Sequence, residues 1–340
     1  MNRNRIFIFL LSVLSFLTIF LTLTLFTRYK ASTYEENFKH YKKLSNSVLP
    51  LKVMEKALKE DINSNNENKK AKFVTIVSLL AAKYYGDWEK YDEKDLNEIV
   101  EKLNEGQKEE ELAHLYNNYS YFKNFYEALF CELIGRYKIS KDIETRGQEE
   151  IIFEEKYGLK AYSPIAYGYK ISFCSDFDNE INFSKQKGHF GNDIAVKKGV
   201  PFVAVESGVV SKTYKDKNIY KLELKSFDGK RTYIYSNCDS KKPFADEIKE
   251  GTIVAGGQLL GFVGDDNCCK KGGSQILNCP YLHFGIKIKV KTKDNEEIEV
   301  YVDTYNILKF LEHHKSALSK DKDGFYLKHI FKDEVFEKNY

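Results

Sequence analysis

Apolar and polar positions follow three regimes along the chain. From Ile6 to Phe26 there are 21 residues without a charge. At about 1.5 Å per helical residue that run is long enough to cross a hydrocarbon core. It exceeds an ordinary signal-peptide core, and the following "LFTRYKAS" offers no A-x-A-like cleavage site, so it predicts a membrane helix. From Tyr34 to about Tyr157 the pattern is helical and charged, as in "SLLAAKYYGDWEKY", "KDLNEIVEKLNEG" and "YNNYSYFKNFYEALFCELIGRY". In the last of these Tyr121, Phe125, Leu129 and Leu133 recur every four positions, the mark of a packed amphipathic helix. The polar "INSNNENKKAK" reads as a loop between helices, and the aromatic stripes read as core.

After "AYSPIAYGYKIS" the period shortens to two in "VPFVAVESGVVSKTY", "YKLELKSF", "RTYIYSN", "LLGFVG" and "YLHFGIKIKV", with turn signals at Asp228-Gly229 and Gly256-Gly257. That is the pattern of antiparallel β-structure, and "VDTYNILKFLEHHKSAL" predicts a helix behind it. The expected fold class is therefore α+β. Residues 1–30 form a cytoplasmic stub and membrane anchor, 31–160 a small helical domain, 161–316 an antiparallel β-core with its C-terminal helix, and 317–340 a tail.

Charge changes this picture little. Lysine and arginine, 53 together, nearly balance the 50 acidic residues for a net +3, and no basic cluster is interleaved with aromatics. Nucleic acid is thereby disfavoured as a partner. Arg3 and Arg5 precede the apolar run, while Arg28, Lys30, Lys39, Lys42 and Lys43 follow it. Taken alone, that count places the body in the cytoplasm. The six cysteines, Cys131, Cys174, Cys238, Cys268, Cys269 and Cys279, are too few to frame a chain of this length. One or two disulfides fit a body outside the cell. A thiolate metal site is disfavoured, because adjacent Cys268 and Cys269 lack the two-residue gap that wraps zinc.

The candidate chemistry lies in two stretches. "KGHFGNDIAV" sets His189 and Asp193 four apart around Gly191, and "YLHFGIKI" sets Tyr281 and His283 two apart, hence on one face of a strand. An imidazole and a carboxylate from one loop with a histidine from a neighbouring strand can make a three-ligand metal site with an open position for water. Taken alone, H-x-x-x-D is a weak pattern. His40 and His114 are isolated, and His313 and His314 read as a solvated helical face.

Four blocks in register raise the signal: "GHFGNDIAVKKGVPFVAVESGVV", "SFDGKRTYIYSNCDS", "IKEGTIVAGGQLLGFVG" and "YLHFGIKI". From about Ser163 to Leu311 the chain resembles the lysostaphin-type, or LytM-type, zinc metallopeptidases that cut peptide cross-bridges in peptidoglycan. The resemblance implies an antiparallel peptidase core with one Zn²⁺ held by His189, Asp193 and His283. It also implies a single-pass protein of the cell membrane with its body outside the cytoplasm, contrary to the charge count.

Two further histidines of the family frame are replaced. The first of H-x-H is Tyr281, and the one in Y-x-H-L, aligned with "YSNCDS", is Asn237. A phenol with a reference pKa near 10 is a poor proton acceptor at neutral pH, and an amide cannot shuttle a proton. The inserted "DDNCCKKGGSQILNC" is expected at the mouth of the site, narrowing it if Cys268 or Cys269 pairs with Cys279. The expectation is an envelope protein impaired in catalysis, acting through binding of peptidoglycan peptides or of a cell-wall hydrolase or other envelope partner. An active zinc endopeptidase with Tyr281 as hydrogen-bond donor is the competing enzyme reading, and a metal-free structural component is the third.

Overall fold

The computed structural model describes residues 15–24, 41, 44, 49–66, 70–145, 147, 150–173, 175–178, 188–265, 279–292 and 295–339. Contacts divide the chain into two compact units, Met1–Lys43 and Leu44–Tyr340. In the first, residues 15–24 are helical (α1), and the hydroxyls of Thr18, Thr22 and Thr24 donate to carbonyls one turn back. Phe16, Leu17, Ile19, Phe20, Leu21 and Leu23 are exposed. Most of the predicted span Ile6 to Phe26 flanks that stretch and lies outside the described residues. Among the described residues no helix is long and apolar enough to cross a membrane.

The second unit begins with a helical layer of α2 (Leu51–Asn66), α3 (Phe73–Tyr84), α4 (Glu93–Asn104), α5 (Glu109–Ala113) and α6 (Tyr119–Phe130). α3 is apolar nearly all round and buried from Thr75 through Ala82, as befits a central helix. α4 buries Leu96, Ile99, Val100 and Leu103, a single stripe, and Asp92 caps its N-terminus by accepting from the backbone N–H of Lys94. Phe73 of α3 meets Phe130 of α6 edge-on, with ring centroids 5.1 Å apart.

Here the chain departs from the helical reading of "FCELIGRY". α6 ends at Phe130, a 3₁₀ turn spans Cys131–Leu133, and β1 (Ile134–Ser140) follows, paired antiparallel with β2 (Phe153–Leu159). In β1 the exposed Arg136 and Lys138 alternate with the less exposed Tyr137 and Ile139, a period of two that the preceding helical stripe masks. The residues read as a tail are also structured. β13 (Leu318–Asp321) and β14 (Gly324–Leu327) form a hairpin, and β15 (Phe331–Asp333) pairs with β1 before α8 (Glu334–Asn339).

The main sheet is antiparallel and eight-stranded, in the order β3 (Ser172–Phe173), β4 (Asn192–Ala195), β11 (Tyr281–Lys291), β8 (Arg231–Cys238), β7 (Ile219–Ser226), β6 (Gly208–Asp216) and β9 (Ile253–Val254). β12 (Glu297–Val302) extends it along the outer half of β11, on the edge that β4 occupies near the start of that strand. β5 (Pro201–Val203) and β10 (Leu259–Phe262) make a separate pair. Phe202, Tyr235 and Phe284 bring these strands together in the core, with Tyr235 stacked on Phe202 and edge-on to Phe284. The α+β class thus holds for the described residues.

The predicted last helix contracts to α7 (Tyr305–Leu311), leaving both terminal histidines beyond it. His313 is exposed. His314 is not the solvated residue expected: its ring stacks on Tyr162, centroids 4.6 Å apart, and its Nδ1 bonds the carbonyl of Ala161.

Candidate metal centre

β11 positions the site. His283 stands opposite Asp193 of β4 on one side and Ser236 of β8 on the other, so strand register alone puts the imidazole beside the carboxylate. His189 arrives from the loop before β4, which presses against β11 at Gly191. A Cβ at Gly191 would lie 2.4 Å from the carbonyl oxygen of Phe284 and 2.9 Å from the ring of His283. Only a residue without Cβ allows that approach.

Three atoms converge. His283 Nδ1 lies 2.9 Å from Asp193 Oδ1 and 3.0 Å from His189 Nε2, and His189 Nε2 lies 3.2 Å from Asp193 Oδ1. Bonds of about 2.0–2.1 Å from a tetrahedral ion would set its ligand atoms roughly 3.3 Å apart. The observed triangle is slightly tighter than that, so a small outward movement of the three groups admits a metal ion. Among the described residues this is the one group of His, Cys, Asp and Glu able to hold a metal. Asp193 is buried, whereas His189 and His283 are half-buried, so one side of the triangle opens toward solvent.

The ring of His189 is oriented from behind. Its Nδ1 lies 2.8 Å from the carbonyl oxygen of Asp176, which can only accept, so Nδ1 carries the proton and the Nε2 lone pair faces the triangle. The Asp178 N–H donates to the His189 carbonyl, completing a short bridge between the two segments. Without a metal the site retains a proton. Burial opposes the charged imidazolium of His189, but the hydrogen bond to Asp193 and the charges of Asp193 and Asp176 outweigh it and raise the pKa to about 9. Burial likewise opposes ionisation of Asp193, and the two histidines more than offset it, holding the carboxyl below its usual range. Asp176 has no such surplus of partners, and burial raises it.

The two predicted replacement positions also meet. Asn237, next to last in β8, lies in the left-handed region, at φ 66°, a conformation asparagine tolerates better than most residues. Its side-chain Nδ2 donates to the backbone carbonyl of Tyr281 at 2.8 Å, and its own carbonyl accepts from Gly264 N at 2.7 Å. Tyr281 is half-buried at the first position of β11, on the His283 face. Cys174, Cys268 and Cys269 lie outside the described residues, as does most of the inserted loop. Cys131, Cys238 and Cys279 are free thiols. Asp176, Asn192 and Thr304, which back the triangle, carry no spacing signal that would have singled them out.

Residues 187–295 match Peptidase family M23, and the chain carries a domain of that family there. Among solved structures, the chain is similar to the catalytic domain of the antimicrobial peptidase lysostaphin from Staphylococcus simulans. The identity is 22% over 42% of this chain and 92% of that one, with a TM-score of 0.29. A zinc-containing peptidase from Vibrio cholerae is 19% identical over 44% of this chain and 43% of its own, with a TM-score of 0.28. A chain from the complex of SpoIIIAH and SpoIIQ is 20% identical over 41% of this chain and 95% of its own, with a TM-score of 0.26. No curated protein matches the chain.

Proposed function

We propose that this is a membrane-anchored protein of the cell envelope whose M23 domain holds one Zn²⁺ but is impaired in peptide hydrolysis, and acts by binding peptidoglycan peptides or an envelope protein. Two imidazoles and a carboxylate within 3.2 Å of one another form a donor set suited to zinc. A zinc ion bound there would polarise a carbonyl and acidify a water. The protein must supply the rest: an acceptor for the proton of the attacking water and a donor to the departing amine. The observation that carries the proposal is the Asn237 amide, which donates to the Tyr281 carbonyl and cannot take or pass a proton as an imidazole would. Tyr281, a phenol, can donate a hydrogen bond to developing negative charge but is a poor base. Loss of general acid–base assistance costs about 10²–10⁴ in rate. The uncharged run from Ile6 to Phe26 supports the anchor, and a wall-facing ligand puts the body outside the membrane.

The test is wall-lytic activity of the full chain, with zinc measured on the same sample, beside the double variant Tyr281→His, Asn237→His. Histidine also tolerates the left-handed backbone at 237. The expected result is about one zinc per chain, an inert parent and a variant that gains cleavage. The intact triangle is what favours the competing reading: cleavage by the parent, stopped by a chelator, would make Tyr281 a working substitute and the protein an active endopeptidase.

A further inference from the structure

Behind the triangle runs a chain of hydrogen bonds that neither the ligands nor the replaced histidines require. Asp176 Oδ1 accepts from the backbone N–H of Asp193 at 3.3 Å and from Asn192 Nδ2 at 3.4 Å. Its carbonyl takes the His189 ring proton. One residue thus touches the backbone of one ligand and the ring of another. Asn192 Oδ1, in turn, accepts from the backbone N–H of Thr304 at 2.9 Å and from its hydroxyl at 2.6 Å. Asn192 and Thr304 are fully buried. Asn192 faces Phe284 in register, next to the Asp193–His283 pair, and Thr304 stands just before α7. Asparagine is a costly residue at a fully buried strand position unless its amide is satisfied on both sides. Here Thr304 satisfies the oxygen side, while Asp176 and Asp303 accept on the nitrogen side.

We infer that Asp176, steadied through Asn192 by Thr304, is a positioning group for the triangle, holding His189 and Asp193 in the geometry that takes a metal ion and thereby setting metal affinity. This rests on the zinc reading above. The relay joins the segment around residue 176, β4 and the turn into α7, three parts of the chain that no local spacing keeps together. Asp176 is not itself a ligand, because its carboxylate oxygen lies on the Nδ1 side of the His189 ring, 3.6 Å from that atom, whereas Nε2 faces the triangle.

The experiment titrates the full chain, stripped of metal, with Co²⁺ followed by its d–d absorption, then competes Zn²⁺ against a chelator. Parent, Asp176→Ala, Thr304→Val and Thr304→Ser are compared, with a melting curve for each. Outer partners of metal ligands typically change affinity by about 10–100-fold. Asp176→Ala, which removes the side-chain acceptor, and Thr304→Val are expected to weaken binding within that range and to alter the Co²⁺ spectrum, while Thr304→Ser, which keeps the hydroxyl, stays at the parent value. Unchanged affinity and spectrum in Asp176→Ala and Thr304→Val, even with lowered melting temperatures, would reduce the relay to a structural one and overturn the inference. A parent that takes up neither ion overturns the zinc reading itself, and the inference with it.

Discussion

Two polar clusters sit in this sheet, one closed around a fully buried arginine and one half-buried, and they settle their charge in opposite ways. At the start of β8 the fully buried Arg231 guanidinium donates to Glu206 at 2.8 and 3.3 Å, to Asp228 at 3.3 Å and to the carbonyl of Ala128 at 3.0 Å. That cluster carries its own cation, with its donors directed at fixed acceptors, and through Ala128 it ties α6 to the sheet. The His189, Asp193 and His283 triangle gathers three electron-pair donors and supplies no permanent cation, and in the metal-free chain a proton on His189 fills that role. A closed cluster builds the fold, whereas an open one invites a ligand.

Breaking the closed cluster should have the largest effect. Arg231→Met leaves Glu206 buried without its partner, and equilibrium denaturation is expected to show a loss of about 3–5 kcal/mol. A loss below about 1 kcal/mol would mean that the guanidinium is not what joins helices to sheet. Next comes filling the open cluster. Zinc at a hundredfold excess over its dissociation constant should raise stability by about 2.7 kcal/mol, and Asp193→Asn should remove most of that gain. Equal stabilisation of parent and variant would place the ion elsewhere.

The smallest effect is the proton's own. His189 is raised from 6.5 to about 9 in the folded metal-free chain, so its stabilising contribution is complete below about pH 6.5 and disappears as pH rises to about 9. Metal-free protein should therefore lose stability over that window, and His189→Gln should flatten the profile. A parent profile already flat would show that the triangle holds no extra proton.

The same contrast explains what could be read in advance. His189 and Asp193 lie four residues apart and His283 sits in a short strand motif, but that spacing is weak alone; the three became legible as candidate ligands through four blocks in register that resemble the lysostaphin-type peptidases. Asp176, Asn192 and Thr304 reach one another only through sheet register and the turn into α7, and their side chains form no motif. The helical reading of residues up to Tyr157 failed at Ile134 because the aromatic and charged residues of "IGRYKIS" continue the composition of α6 while changing its period. β1 also depends on a partner at Phe331–Asp333, which no window around residue 137 includes. His314 was misjudged for a related reason: its packing partner, Tyr162, comes from a distant part of the chain.

That partner strand has a consequence for the order in which the protein is made. Tyr137 pairs with Asp333, and Ser207 donates to the Asp333 carboxylate. During synthesis from the N-terminus, β1 emerges well before β15 and can find β2 soon after, but its other edge stays bare until Phe331–Asp333 have left the ribosome. An unpaired edge is a template for wrong partners. For the time it takes to translate the intervening residues, at about 5–20 residues per second, the nascent chain carries an open seam that β15 is there to close.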